Sequence, residues 1–322
     1  MSLSTILPHH NGRESLDTFT LRSLYIPKTF NKRMHREVNN VTRFLHGFPN
    51  YLNKEGYTGP SKNSIDMVVK GGSLGKCTAV QRSTDMDLVL FFNGYDSMET
   101  FITDKQKEGG ILDKLADYMT GDHVNSKHWK EEFKPNRDFH INLKMDDRET
   151  KYDISVDIVP AIRVMDRQGC DLDKLYKKMS LEPPDVREHY SPCLVQKQRE
   201  FTRRQDSTVK RLMKLTKYWR KENHLDLNSY TCELLSVDAC KDGCRNVTQG
   251  FKTVLEKLKN YNNLNVEFSK YYNPDKWRSY FPKEPYVMDP ANPFMNTCKQ
   301  NLEVDQIRNI EECAKGTLDA IK

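Results

Sequence analysis

Two aspartates separated by one residue, Asp85 and Asp87, begin the apolar run Leu88-Val89-Leu90-Phe91-Phe92. Carboxylates at positions i and i+2 of a β-strand project from the same face, so both can bind one divalent cation. A third aspartate, Asp157, lies on the polar face of a second strand pattern, residues 152–160. These residue types predict a metal site built from carboxylates on two neighbouring strands.

A glycine-rich turn precedes the first two aspartates. Gly71-Gly72-Ser73 follows the strand pattern of residues 65–70. Glycines let backbone N–H groups approach an anion closely, so this turn predicts phosphate binding. Its spacing differs from that of a Walker loop, and the chain contains no His-Glu-x-x-His motif.

Carboxylates beside a phosphate-binding turn indicate in-line nucleotidyl transfer with two divalent metal ions. Asp85 and Asp87 alone would fit a solvated strand end better than a metal site. Their combination with the Gly72-Ser73 turn and with Asp157 favours catalysis.

The rest of the chain must position these residues. Its 322 residues suggest two lobes, and we place a mixed-sheet catalytic lobe with an N-terminal helix at residues 1–160 and a helical lobe at 161–322. An amphipathic helix is expected at residues 29–47, a helical pattern at 101–119 broken by Gly109-Gly110, and a strand at 139–145. Helical patterns follow at 228–239, 247–258 and 304–321, with a proline-rich loop at 286–293.

The composition narrows the protein class. The net charge is only +6, with 51 basic and 45 acidic residues, so the total does not by itself imply nucleic-acid binding. No apolar run is long enough to span a membrane, and we expect a soluble, cytoplasmic protein. Eight cysteines are scattered, and the close pair Cys240 and Cys244 lacks a second pair at zinc-ligand spacing, so we expect free thiols.

A basic stripe follows residue 206. Ser207 is expected to cap a helix whose apolar side carries Leu212, Leu215 and Trp219. The other side carries Lys210, Lys214 and Lys217 at helical spacing. Such a stripe is ordinarily a solvated face, unless a phosphate site elsewhere gives it a ligand.

The motifs resemble those of one family. Gly-Gly-Ser-x-Gly-Lys-x-Thr followed by Asp-x-Asp-Leu-Val is similar to the pattern of the 2′-5′-oligoadenylate synthetases, within the polymerase-β-like nucleotidyltransferases and related to cGAS-like receptors. The similarity continues through Asp157-Ile158-Val159-Pro160-Ala161, Arg199-Glu200-Phe201, Lys217-Tyr218-Trp219, Glu233-Leu234-Leu235 and Asp289-Pro290-Ala291-Asn292-Pro293. The resemblance implies a bilobal α+β enzyme.

The resemblance also assigns roles by position. It implies that Asp85, Asp87 and Asp157 bind two Mg²⁺ ions, for which Mn²⁺ can substitute, and that Asp157 helps to deprotonate the acceptor 2′-hydroxyl. The implied nucleotide-binding residues are Gly72, Ser73, Lys76, Lys214, Lys217, Ser229 and Tyr230. The implied contacts to an activating double-stranded RNA are Lys28, Lys32, Arg36, Lys70, Arg199, Arg203 and Ser207.

The activity implied is the RNA-activated polymerisation of ATP into 2′-5′-linked oligoadenylates, a second messenger of innate immunity. Two alternatives stay open: a cyclic-dinucleotide synthase using ATP and GTP, because a serine such as Ser229 before the tyrosine also occurs in cGAS-type enzymes, and a catalytically inactive RNA-binding module. We expect a monomer, because the chain ends soon after its last helix, without the Cys-Phe-Lys oligomerisation segment of some relatives.

Overall fold

The structure is a computed structural model that describes residues 2–60, 65–81, 85–121, 129–131, 141–145, 154–165 and 171–321. Its strands are β1 (Ile65–Lys70), β2 (Asp85–Phe92), β3 (Trp129–Glu131), β4 (Ile141–Met145), β5 (Ile154–Ile162), β6 (Asn265–Val266), β7 (Tyr286–Asp289) and β8 (Asn292–Asn296).

The helices are α1 (Leu3–Ile6), α2 (Leu16–Phe19), α3 (Lys28–Leu45), α4 (Phe48–Lys54), α5 (Gly72–Lys76), α6 (Met98–Gln106), α7 (Ile111–Thr120), α8 (Leu172–Ser180), α9 (Pro184–Glu188), α10 (Tyr190–Cys193), α11 (Val195–Arg203), α12 (Ser207–Glu222), α13 (Ser229–Ala239), α14 (Val247–Leu258), α15 (Pro274–Trp277) and α16 (Val304–Ala320). A π-helical turn covers Thr20–Leu24, and 3₁₀ turns cover Tyr261–Asn263 and Arg278–Tyr280.

The chain divides into two compact units. The sheet unit comprises Pro27–Lys76 and Ser83–Arg199, and the helical unit comprises Met1–Ile26, Cys77–Arg82 and Glu200–Lys322. These units do not follow the boundary placed at residue 160. That boundary marks the change from strand patterns to helix patterns, whereas the units follow packing: α10 lies against β5, for example, and so joins the strands.

The sheet unit contains a five-stranded mixed sheet in the order β1-β2-β5-β4-β3. Strands β2 and β5 are parallel, and the other neighbours are antiparallel. Leu88, Val89, Leu90 and Phe91 are all buried, which confirms that the continuous apolar run forms a strand covered on both faces. Residues 139–140 of the predicted strand 139–145 lie outside the described residues, and the remainder is β4.

Helix α3 is amphipathic, as predicted. Its apolar residues Met34, Val38, Val41 and Leu45 are buried at helical spacing. The Tyr118 hydroxyl on α7 donates to the backbone carbonyl of Phe44 (2.7 Å), and the two rings stack with centroids 4.5 Å apart. This contact fixes the end of α3 within the sheet unit. The predicted break at Gly109-Gly110 is confirmed, because it separates α6 from α7.

The helical unit packs α12, α13, α14 and α16 around a core that includes Trp219 and Phe251. The indole N–H of Trp219 donates to the hydroxyl of Thr317 on α16 (2.9 Å), which satisfies its polar atom in an otherwise apolar core. The helices predicted at 228–239, 247–258 and 304–321 are confirmed as α13, α14 and α16.

The loop predicted at residues 286–293 is wrong, because β7 and β8 lie there in a three-stranded sheet of order β6-β7-β8. Proline lacks an N–H and is tolerated at turns and edge strands. Pro290 lies in the turn between the strands, and Pro293 lies on β8, which is one of the two edge strands of this sheet.

Two smaller predictions are also wrong. Helix α12 is capped by Asp206, whose carboxylate accepts from the Val209 N–H (2.9 Å), so Ser207 is the first helical residue instead. Cys240 and Cys244 form a disulfide across the turn after α13, because that turn brings their Cα atoms to 4.8 Å.

Five other cysteines in the described ranges are free thiols: Cys77, Cys193, Cys232, Cys298 and Cys313. Across those same ranges, no helix combines the length and hydrophobicity needed to cross a bilayer.

Candidate active site and basic surface

Asp87 and Asp157 are partners in the parallel pairing of β2 with β5. Partners in a parallel pair project from the same face of the sheet, and both residues are partly exposed there. Leu88 and Ile158, one position further on, are fully buried. Asp85 lies on β2 two residues before Asp87, opposite Ser155. The prediction that neighbouring strands carry the three aspartates is therefore confirmed.

The glycine turn lies directly against Asp87. The Gly71 N–H donates to the Asp87 carbonyl (2.7 Å), and the Gly75 N–H donates to the Gly71 carbonyl (2.7 Å). Gly72 has a positive φ of 46°, and a Cβ added there would overlap the Asp87 carboxylate oxygen Oδ2. Only glycine fits a backbone that is both left-handed and this close to a side chain. Ser73 follows in α5 and is partly exposed.

Asp87 and Asp157 suit a hard divalent cation, because Mg²⁺ prefers oxygen ligands and is often held by one or two carboxylates together with substrate phosphates. Among the side chains that the structure describes, no cluster of three His, Cys, Asp or Glu groups at metal-binding distance occurs. Two carboxylates leave further coordination positions of such a cation for substrate phosphates or water.

The predicted phosphate-binding lysines are not a solvated stripe. Lys214 is only 6% exposed. Its ammonium donates to the Ala79 carbonyl and lies 5.0 Å from the centroid of the Tyr25 ring. Burial, and then repulsion from Lys217, lower the pKa of Lys214 to about 8. A buried lysine with a depressed pKa is a candidate for binding an anion, since an anion would relieve both effects.

Lys217 is held in a second group of contacts within the helical unit. Its ammonium donates to the Thr78 carbonyl (3.2 Å) and to the Glu233 carboxylate (3.1 Å). The Thr78 hydroxyl donates to the same Glu233 oxygen. Lys76, the remaining predicted phosphate ligand, is buried at the end of α5 in the sheet unit.

Ser229 and Tyr230 begin α13, and both are partly exposed. The Tyr230 hydroxyl donates to the Asp289 carboxylate (3.3 Å), and burial raises the pKa of that phenol. Asp289 itself is buried and accepts from the Ala291 N–H (2.7 Å). These contacts hold one end of the Tyr230 ring.

Lys70 contacts two helices that carry predicted RNA-binding residues, α3 and α11. Its ammonium donates to the Asn39 side chain on α3 (3.3 Å), three residues after Arg36. The Arg199 guanidinium donates to the Lys70 carbonyl (3.2 Å), and burial, followed by repulsion from Arg199, lowers the pKa of Lys70. Lys28, Lys32 and Arg36 are exposed on α3. We call Lys28, Lys32, Arg36, Lys70 and Arg199 the α3–Lys70 surface.

Arg203 and Ser207 belong to the helical unit, and both are exposed. Arg203 lies on α11 one helical turn after Arg199, as the i, i+4 spacing predicted.

Reasoning from the sequence missed the part played by Thr78 and Glu233. Glu233 is only 2% exposed and lies in the apolar stretch Cys232-Glu233-Leu234-Leu235. A carboxylate inside an apolar helical stretch signals a buried, paired charge. Its partners could not be named from the sequence, because Thr78 lies 155 residues away.

The family model for the C-terminal domain 2 of 2′-5′-oligoadenylate synthetase 1 matches residues 172–317. The 2′-5′-oligoadenylate synthase 1A of Rattus norvegicus is 28% identical over 267 residues, covering 74% of this chain and 73% of the relative. The Mus musculus synthase 1A is 28% identical over 321 residues, covering 90% and 83%.

Two solved structures have a similar fold. The CdnC:HORMA-deltaN complex of E. coli MS115-1 matches with a TM-score of 0.62 at 19% identity, covering 94% of this chain and 88% of that one. CdnC with ATP matches with a TM-score of 0.59 at 17% identity, covering 95% and 90%. The mixed α+β, polymerase-β-like fold predicted from the sequence is thereby confirmed. The chain is thus similar to the 2′-5′-oligoadenylate synthetases over most of its length, and its residues 172–317 match the model of the C-terminal domain of that family.

Proposed function

We propose that this protein is a double-stranded-RNA-activated nucleotidyltransferase that joins ATP into 2′-5′-linked oligoadenylates and releases pyrophosphate at each step. The names of its relatives support this assignment. One structural observation carries it: Asp87 is both the register partner of Asp157 and the side chain against which the glycine turn packs. A carboxylate pair and a phosphate-binding turn are thus joined at one residue.

The reaction transfers one nucleotidyl group. Asp157 accepts the proton of the acceptor 2′-hydroxyl, whose oxygen forms a bond to the α-phosphorus of ATP while the bond to the pyrophosphate oxygen breaks. Backbone N–H groups at Gly72 and Ser73 bind the triphosphate. Mg²⁺ or Mn²⁺ held by Asp85, Asp87 and Asp157 would lower the pKa of the hydroxyl and neutralise the charge that develops on the phosphates.

The lysines supply positive charge for the phosphates. In the helical unit, the Lys214 and Lys217 ammonium groups share one nearby carboxylate, that of Glu233. This local surplus of positive charge suits a triphosphate, which would form charge-assisted hydrogen bonds with both. Lys76 is proposed as a further phosphate ligand, Tyr230 as the aromatic group that stacks on a base, and Ser229 as its neighbour at that base.

RNA is proposed to bind Lys28, Lys32, Arg36, Lys70, Arg199, Arg203 and Ser207, which are the α3–Lys70 surface and two residues of the helical unit. Contacts to phosphates and 2′-hydroxyls make such binding largely independent of sequence and sensitive to salt. Lys70 supports a route for activation, because its ammonium contacts α3 and its neighbour Gly71 donates to the Asp87 carbonyl. RNA that binds Lys70 would then shift the population of glycine-turn conformations.

Two other functions are alternatives to the proposed synthesis of 2′-5′-linked oligoadenylates. The serine at position 229 favours a cyclic-dinucleotide synthase using ATP and GTP as the second candidate. A catalytically inactive RNA-binding module fits less well, because Asp87 and Asp157 are retained side by side.

The discriminating experiment is product analysis. The protein is incubated with ATP, with or without GTP, in the presence of Mg²⁺ and long duplex RNA, and products are identified by mass spectrometry and by digestion with a 3′-5′-specific nuclease. Oligoadenylates that resist the nuclease support the proposal, and a cyclic dinucleotide supports the alternative.

We also propose that the protein is a cytoplasmic monomer, which light scattering and localisation of the tagged full chain would test.

A further inference from the structure

The carboxylate of Glu233 is buried between two partners from distant parts of the sequence. Its Oε1 accepts from the Lys217 ammonium at 3.1 Å and from the Thr78 hydroxyl. The Glu233 side chain is 3% exposed and that of Lys217 is 10% exposed, while Thr78 is fully buried. A buried carboxylate is costly unless it is paired and hydrogen-bonded, and these partners meet that requirement.

Glu233 limits where the Lys217 ammonium can point. An ammonium has three N–H donors. Glu233 takes one, and the Thr78 carbonyl takes another at 3.2 Å. With two donors fixed, the direction of the third is set by the protein before any nucleotide binds.

The segment that includes Thr78 joins the glycine turn to strand β2 in the sequence. Within the helical unit, Val80 is buried in the core, the Ala79 carbonyl accepts from Lys214, and the Gln81 N–H donates to the Leu24 carbonyl (3.3 Å). Thr78 adds its hydroxyl and its carbonyl to these anchors. The segment is therefore tied to α12 and α13 through Lys214, Lys217 and Glu233.

We propose that Glu233 is a positioning residue, which acts through Lys217 and Thr78 to aim the phosphate-binding ammonium group and to anchor residues 77–81, which follow the glycine turn in the sequence. This inference rests on the proposed function, because it takes Lys217 as a nucleotide phosphate ligand. It adds a specific claim, which is that a group without a direct nucleotide contact sets nucleotide affinity.

The electrostatics support the same role. The Glu233 carboxylate raises the pKa of the neighbouring Lys214, opposing the effects of burial and of Lys217. Replacing Glu233 by glutamine should lower the pKa of Lys214 further, so that more of it is neutral at pH 8. A change that only loosened the fold would hydrate Lys214 and raise its pKa, so the direction of the shift separates the two effects.

The test compares Glu233→Gln, Thr78→Val and Thr78→Ser with the wild-type full chain. Equilibrium binding of a non-hydrolysable ATP analogue is measured by calorimetry, together with KM and kcat. We expect Glu233→Gln to weaken binding by about tenfold, the effect of one charge-assisted hydrogen bond. Thr78→Val should weaken it in the same direction, whereas Thr78→Ser, which keeps the hydroxyl, should recover most of the affinity. Glu256→Gln is the matched control, because it removes the carboxylate of an exposed ion pair between Glu256, on α14, and Lys259.

A double-mutant cycle with Lys217→Met tests whether Glu233 acts through Lys217. In that background Glu233→Gln should change affinity little, because the positioned group is gone. Equal effects in both backgrounds would overturn the inference, as would wild-type affinity in Glu233→Gln. A wild-type chain that does not bind the analogue would overturn the proposed function and this inference together. Thermal unfolding is followed for every variant. If Glu233→Gln does not fold, the difference in affinity between Thr78→Val and Thr78→Ser tests the inference instead.

Discussion

Asp87 on β2 and Asp157 on β5 lie opposite each other in a parallel pair of strands. The pairing requires no loop to bring the carboxylates together, because the register of the central sheet does so. Buried neighbours on the same strands make that register specific, since a slip by one residue would move every apolar side chain to the wrong face. The backbone positions of Asp87 and Asp157 are therefore fixed by the core of the sheet unit.

Replacing either carboxylate should abolish nucleotidyl transfer. We expect Asp87→Asn and Asp157→Asn each to lower kcat by roughly a hundredfold or more, because each removes charge that the transition state requires. The measurement is the rate of pyrophosphate release, with circular dichroism to confirm folding. Wild-type rates in either variant would show that the metal site has been placed wrongly.

Gly72→Ala should damage both stability and catalysis. The new Cβ would overlap the Asp87 carboxylate at a residue with φ of +46°, so the backbone or Asp87 must move. Gly109→Ala is the matched control, because Gly109 has φ of +69° and open space where a Cβ would lie. We expect a cost of about 1 kcal/mol at Gly109 from backbone strain alone and about 2–3 kcal/mol at Gly72.

Chemical denaturation measures both costs, and pyrophosphate release measures activity. Activity should fall in Gly72→Ala and not in Gly109→Ala. Equal losses of stability in the two variants would contradict the close contact between Gly72 and Asp87.

Some of this architecture could be predicted from the sequence because it depends on local pattern. The apolar run after Asp87 and the alternation around Asp157 each identify a strand, and the spacing of Met34, Val38 and Val41 identifies a helix. These patterns report which face of an element is buried.

Other features could not be predicted because they depend on distant partners. Lys214 has the spacing of a solvated lysine, yet it is buried against the Ala79 carbonyl and Tyr25. Thr78 lies in a polar connection and is tied to Glu233, 155 residues away. The prolines at 290 and 293 favoured a loop over strands β7 and β8. A strand can accept proline when it lies at the edge of a sheet, as β8 does, and the sequence does not show that position.

Reversing charge at Arg199 and Arg203 should remove activation by RNA. Arg199→Glu with Arg203→Glu eliminates two cations one helical turn apart, so duplex RNA should bind more weakly. The slope of log affinity against log salt concentration should become less steep by the amount expected for about two phosphate contacts. The measurement is RNA affinity across a salt series. Arg308→Glu with Lys315→Glu, at two exposed positions of α16, is the control for the same loss of net charge. An unchanged response to RNA would reject this surface.

The pH dependence should report Lys214. Its pKa of about 8 means that it loses its proton as pH rises through that value, so kcat/KM for ATP should fall above about pH 8 as a phosphate-binding charge disappears. In Lys214→Arg the guanidinium stays charged, and this alkaline decline should move to higher pH. Identical profiles for the two proteins would contradict the assignment.

The same lysine should influence stability with a definite sign. Its folded-state pKa lies below its unfolded value of about 10.4, so the unfolded chain binds more protons between these limits. The contribution of Lys214 to the free energy of unfolding should therefore become more favourable as pH rises from about 8 to about 10. Comparing denaturation of the wild type and Lys214→Met over this range isolates the effect.

The most direct test of the central claim is identification of the product made from ATP and Mg²⁺ with and without long duplex RNA. We expect 2′-5′-linked oligoadenylates and pyrophosphate in the presence of RNA, much less without it, and none from Asp87→Asn. A cyclic dinucleotide, or no nucleotide product under any of these conditions, would contradict this claim.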